Sequence, residues 1–277
     1  MSHHWKLLIC FSLLLCATQP ILAQNDDAAC QPCDLGDVLG LNRSGEWNVY
    51  PSIQKALLAV SYEDLQRVIV CPGFYEEVPV MAHFSDLIFE ACGAVTIQGL
   101  TLKDVSNVVI NGFTVDAEGY WQGIGLGFGS SYENDNILIR NCHIMNSGGA
   151  GIQLRPWNQQ VIIDGCTFTN NVHGVSSILF GGPYLIQNST FVANSIGAAM
   201  SPESRVTFDT NSFYNHEYFG ITRGRSWAGV NYSHWITLIN NQFEENGGYD
   251  VPGTHDANLG NIHLIIDETD QQEGYAP

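Results

Sequence analysis

The sequence predicts an all-β solenoid: a right-handed parallel β-helix with a short N-terminal capping α-helix. Two recurrences carry that expectation. The first is a set of six lines at 108–115, 137–144, 161–168, 184–191, 206–213 and 236–243, each an apolar run, a polar turn and one apolar residue. The closing residues Val115, Ile144, Phe168, Phe191, Phe213 and Phe243 are spaced 29, 24, 23, 22 and 30 residues apart, a period typical of solenoid repeats. The second is a glycine-led strand between the lines, at 123–126, 151–154, 174–177, 197–200 and 220–223.

The turn inside each line explains the winding. Gly112, Asn141, Gly165, Asn188, Thr210 and Asn240 stand three residues before the closing residue. Gly and Asn take the left-handed backbone conformation at least cost, so one bend can be reused in every coil. Thr210 breaks the pattern and Asn211 follows it, which leaves the register of that coil open by one residue. In the glycine-led strands, alternation puts Ile124, Ile152, Val175, Ala198 and Ile221 inside. Gly125, Gln153, Ser176, Ala199 and Thr222 then face out. The whole amounts to about nine coils.

Composition limits the possibilities. The chain has 277 residues, 45% hydrophobic, with a formal net charge of −18, which suits one sizeable domain and argues against nucleic acid as a partner. Residues 1–23 read as a signal peptide, with Lys6 before an apolar run and Ala23 at the cut. That run is too short for a membrane span, so the expectation is a secreted, extracellular protein with no membrane span after signal cleavage. Residues 24–47 read as an irregular N-terminal segment, 48–266 as the β-helix domain and 267–277 as an acidic tail. Within 51–60, Ile53, Ala56, Leu57 and Val60 share one helical face; this helix would cap the open apolar end that every solenoid has.

Six cysteines outlast the leader: Cys30, Cys33, Cys71, Cys92, Cys142 and Cys166. An even number in a secreted chain suggests disulfides. Cys142 and Cys166 hold the same place in adjacent coils, near bonding range, and Cys71 and Cys92 are candidates for the same stacking; bonds are favoured over a ladder of buried thiols. Cys30 and Cys33 suit a local or terminal disulfide. Asn42, Asn188 and Asn231 lie in glycosylation sequons, which marks the chain as a candidate glycoprotein.

The helix at 51–60, followed by the segment 70–77 (Val70, Cys71, Pro72, Gly73, Phe74, Tyr75, Glu76, Glu77), resembles the start of pectin-lyase-like right-handed parallel β-helix proteins. The coil repeats are similar to that superfamily's, and the resemblance covers roughly residues 48–266. It implies the fold and a polysaccharide partner. It does not imply one chemistry, because the superfamily includes lyases, epimerases, esterases, hydrolases and non-catalytic proteins. The signature segments of its polygalacturonases, pectinesterases and bacterial alginate epimerases are absent from this sequence.

Candidate site residues gather where two long coils, at 127–136 and 224–235, add chain to one rim. Long loops on one side of a rigid scaffold are where binding residues concentrate. The rim collects Phe128, Tyr132, Arg155, Trp157, Arg205, Arg223, Arg225, Trp227, Tyr232 and Trp235. Gln153, Trp157, Thr222, Trp227 and Trp235 are the candidate substrate-binding residues, since aromatic faces suit sugar rings. Proton abstraction beside a uronate carboxylate needs a neutralising cation and a base. Arg155, Arg223 and Arg225, with His173, are the candidates; His216 is a further acid or base. No cofactor is expected unless Ca²⁺ replaces a cationic side chain, with Asp116, Glu118, Glu133 and Asp135 as ligands. Two readings stay open: a lyase or C5-epimerase of uronic-acid-containing glycans, and a non-catalytic glycan-binding or surface-structural protein.

Overall fold

The computed structural model describes residues 31–127, 133–201, 203–223, 236–247 and 262–264. The signal segment, the acidic tail, Cys30, Asn231, half of the first long loop and all of the second lie outside the described residues. The backbone forms a parallel β-helix with three strand columns. One column runs from Leu65–Val70 to Ile236–Ile239, and a second of eight three-residue strands runs from Gly73–Tyr75 to Gln242–Glu244. The glycine-led strands make the third, from Gln122–Leu126 to Ile262–Leu264. The eight strands of the second column among the described residues compare with about nine coils expected.

Pairing is in register from coil to coil. Ile137 sits between Val108 and Val161, and Phe168 between Ile144 and Phe191. Ile124, Ile152, Val175, Ala198 and Ile221 form one column, all fully buried. Leu100–Asn111 is long because it pairs at its start with Gln122–Leu126 and at its end with Asp135–Arg140.

The expected bends are present at every line. Gly112, Asn141, Gly165, Asn188, Thr210 and Asn240 all have positive φ, with Thr210 at 56°. The threonine is therefore in register, and its coil accepts the cost of a β-branched residue there. A second column of bends lies beyond the six sequence lines: Asn146, Asn170, Ala193, Asn215 and Glu245 are also left-handed.

The interior stacks like on like. Phe168, Phe191, Phe213 and Phe243 lie ring on ring, with centroids 4.6, 4.5 and 4.9 Å apart. The tight path of the glycine-led strands explains their first residue. A Cβ on Gly151 would stand 2.6 Å from the carbonyl oxygen of Gly174, and one on Gly123 would stand 2.8 Å from that of Gly151. Coil-to-coil backbone contact leaves no room for a side chain at that column.

At the N-terminal end, Ile53–Ala59 is helical, with Ser52 as N-cap accepting the Lys55 N–H. The Glu77 carboxylate accepts the Ile53 and Gln54 N–H groups at 3.2 and 3.0 Å, where a negative charge favours the helix. Ile53, Ala56, Leu57 and Val60 are buried in the main core, as a capping helix requires. Part of the segment expected to be irregular is ordered. Val38–Asn42 pairs antiparallel with Trp47–Tyr50 and with Leu65–Val70, covering an edge that would otherwise present unpaired backbone groups.

The disulfide expectations need correction. Cys33 bonds to Cys71 across a Cα separation of 5.7 Å, so neither a Cys30–Cys33 nor a Cys71–Cys92 bond forms. Cys92 is also disulfide-bonded. The Cys33–Cys71 bond thus fastens the N-terminal segment to the first coil. Cys142 and Cys166 are free and buried. In-register parallel neighbours project side chains in the same direction, so their Cβ atoms keep the coil spacing and do not converge to about 3.8 Å. Each thiol instead donates to a backbone carbonyl, Cys142 to Arg140 O at 3.2 Å and Cys166 to Asp164 O at 3.6 Å.

Candidate functional site

The described parts of the expected rim divide. Arg155, half-buried, and Trp157, 45% exposed, follow the strand Ala150–Leu154. Trp157 packs edge-to-face on Phe180 of the next coil, with centroids 4.5 Å apart. Gln153 was expected to face solvent; it is on the outer column but only 3% exposed, and its Nε2 donates to Ser176 Oγ at 2.6 Å. Its amide therefore bridges two coils. Thr222 continues that column at half burial. The backbone of Arg223 is in register with Met200. Arg225, Trp227 and Trp235 lie outside the described residues, as do Phe128, Tyr132 and Tyr232.

The structure does not bring Arg155 and His173 together. Ile178 N–H donates to Leu154 O, which sets Ile178 beside Arg155. His173 begins the same strand five residues earlier, about 16 Å away along the backbone. Burial pushes the His173 pKa down, so its ring is neutral over a wider pH range. The expected metal ligands also stay apart. Asp116 Oδ1 accepts the Asn146 side-chain amide at 2.8 Å and Asp135 Oδ1 accepts that of Gln160 at 3.2 Å. Glu118 follows Asp116 at its bend, and the Glu133 N–H donates to Asp104. Among the described residues no three His, Cys, Asp or Glu side chains are grouped to hold a metal ion. The dispersal of these carboxylates to different corners of the coil is the reason.

The sequons are structural in part. Asn42 donates to Glu46 at 3.1 Å, and Asn188, in its left-handed bend, donates to Asp164 at 2.8 Å.

The opposite edge of the glycine-led sheet holds the better site. The second column of bends opens a trough of about 320 Å³ over Ser147, Asn170, Asn171, Val172, Ala193, Asn194, Ser195, Asn215 and Glu217. Its floor is an amide ladder. Asn171 Oδ1 accepts the Ser147 N–H at 3.0 Å, and Asn194 Oδ1 accepts both the N–H and the side-chain amide of Asn171 at 3.0 Å. Asn171 and Asn194 also donate to Ile144 O and Phe168 O. These side chains satisfy buried backbone groups at the corner, where an unpaired one would be costly. Above the floor, Asn170, Asn215 and Glu217 are exposed, and Ser195 Oγ donates to Glu217 Oε2 at 3.0 Å.

An aromatic shelf flanks the trough. Trp121 is 69% exposed and Tyr120 52%. A Cβ on Gly149 would lie 3.0 Å from the Trp121 ring, so the glycine lets the indole lie against the backbone. The Ser147 hydroxyl contacts both Tyr120 O and Trp121 O at 3.3 Å, tying the shelf to the first lining residue. From Trp121 to Glu217 the edge spans four coil steps, about 19 Å, enough for an oligosaccharide. The signal for this edge is present in the sequence as Asn146, Asn170 and Asn215 just after successive strands, but the six lines give one bend per coil where more recur, a further column running through Asp86, Asn107, Asn136 and Gln160.

A family profile described as right handed beta helix region matches residues 81–226, the stretch that carries the in-register coils and the trough. No curated protein matches the chain. The matched stretch, the parallel pairing and the repeated bends agree, and the chain belongs to the right-handed beta helix family.

Proposed function

We propose that this chain is a secreted protein that binds extracellular polysaccharide along the trough and its Trp121 shelf. The observation that carries the reading is the exposed indole beside a row of amide, hydroxyl and carboxylate groups on a rigid edge. An aromatic face takes the apolar face of a sugar ring, and the polar groups take its hydroxyls. No apolar cofactor would suit so polar a lining.

The test is binding of the full chain to a panel of soluble polysaccharides by titration calorimetry. Trp121→Ala is expected to weaken the bound glycan about tenfold, near 1.4 kcal/mol, with an unchanged circular dichroism spectrum. Unaltered affinity would move the site away from the shelf. The lyase or epimerase reading requires a cation and a base at one carbon. Arg155 and His173, held apart along the strand, favour it less; product absorbance on pectate or alginate would bring it back.

A further inference from the structure

The glycan-binding reading leaves the class of sugar open, and the charges around the trough narrow it. Among the described residues no Lys, Arg or His lines it; four asparagines, two serines and Glu217 supply the polar groups. The whole chain carries 28 acidic and 10 basic residues. Of the cations, Arg43 is paired with Asp64 at 3.0 Å, and Arg67 with Glu90. Two histidines adjoin lining residues, His173 beside Val172 and His216 between Asn215 and Glu217. Burial drives both toward the neutral form. A uronate polymer would bring one carboxylate per sugar to this edge. Each would lose water without gaining a cation and would meet Glu217 with like charge. Hydroxyl and acetamide groups present the opposite case. They donate to Glu217 and to asparagine oxygens and accept from asparagine amides.

Resting on the glycan-binding reading, we propose that the trough takes an uncharged polysaccharide of hexose or N-acetylhexosamine units and discriminates against uronate polymers. Glu217 is the specificity-determining residue. It accepts hydrogen bonds from a neutral sugar and repels an anionic one.

The experiment compares oligomers of N-acetylglucosamine and of glucose with oligogalacturonate of equal length, using the full chain at low and at physiological salt. A neutral oligomer is expected to bind with little dependence on salt. Oligogalacturonate is expected to bind at least about tenfold more weakly and to gain affinity as salt screens the repulsion. Glu217→Gln should weaken the neutral ligand and strengthen oligogalacturonate. Oligogalacturonate bound as tightly as the neutral oligomers at low salt, or an affinity ratio unmoved by Glu217→Gln, overturns the proposal. Binding of uronates alone would overturn only this inference; absence of binding to every oligomer would also remove the reading beneath it.

Discussion

His216 Nδ1 accepts the backbone N–H of Asn194 at 3.2 Å, taking the place that an asparagine side chain holds in the two preceding coils. The ladder continues past it, because the His216 N–H donates to Asn246 Oδ1 at 3.2 Å. An imidazole nitrogen can replace an amide oxygen here only while it keeps its lone pair. The other ring nitrogen, Nε2, is buried without a hydrogen-bond partner among the described residues.

Stability should therefore depend on pH. Burial lowers the His216 pKa from 6.5 to about 4. Between those values the unfolded chain binds the proton and the folded chain does not, so stability rises with pH across that window. The contribution is complete above about pH 6.5 and is lost as pH falls toward 4, by about 3 kcal/mol at the limit. The denaturant midpoint measured from pH 4 to 7 should show this slope, and His216→Asn should flatten it. His173, shifted the same way, leaves a residue of slope. Equal slopes in the two proteins would show that the histidine is not the titrating group.

The glycine column should be far less tolerant than its neighbours. Gly151→Ala puts a methyl against the Gly174 carbonyl, which is backbone and fixed by pairing. A cost of about 3 kcal/mol or more is expected, seen as a large fall in Tm. The atoms nearest a methyl on Gly125 would be those of the Gln122 amide, the end of a flexible side chain, so Gly125→Ala should cost under about 1 kcal/mol. Similar melting temperatures for the two variants would contradict the coil spacing.

The thiols of Cys142 and Cys166 should be unreactive in the folded protein. Both are buried, and the Cys166 thiol is held above its usual pKa by the neighbouring Cys142 and by burial. An aromatic disulfide reagent should modify neither in native buffer. The double variant Cys142→Ala, Cys166→Ala should lower the count in denaturant by two without changing the native count. An unchanged count in denaturant would mean that the two are bonded.

The sequence alone determined the winding. Residues three before each closing apolar position had to bend left-handed, and Gly, Asn and even Thr210 do so because every strand around them is paired in register. The inward column from Ile124 to Ile221 and the capping face of Ile53, Ala56, Leu57 and Val60 follow from periodicity, which local spacing encodes directly. Tertiary structure decided what lies next to what around the coil. Arg155 and His173 are close in sequence yet sit at the two ends of adjacent strands, and Gln153 spends its amide on Ser176. Cys71 pairs back to Cys33, although Cys92 is its stacked neighbour. Trp121, Ser195 and Glu217 lie far apart in the chain and meet along one edge only because each coil returns to the same corner. Spacing along the chain reports which way a side chain points; the closure of the coil sets which others it meets.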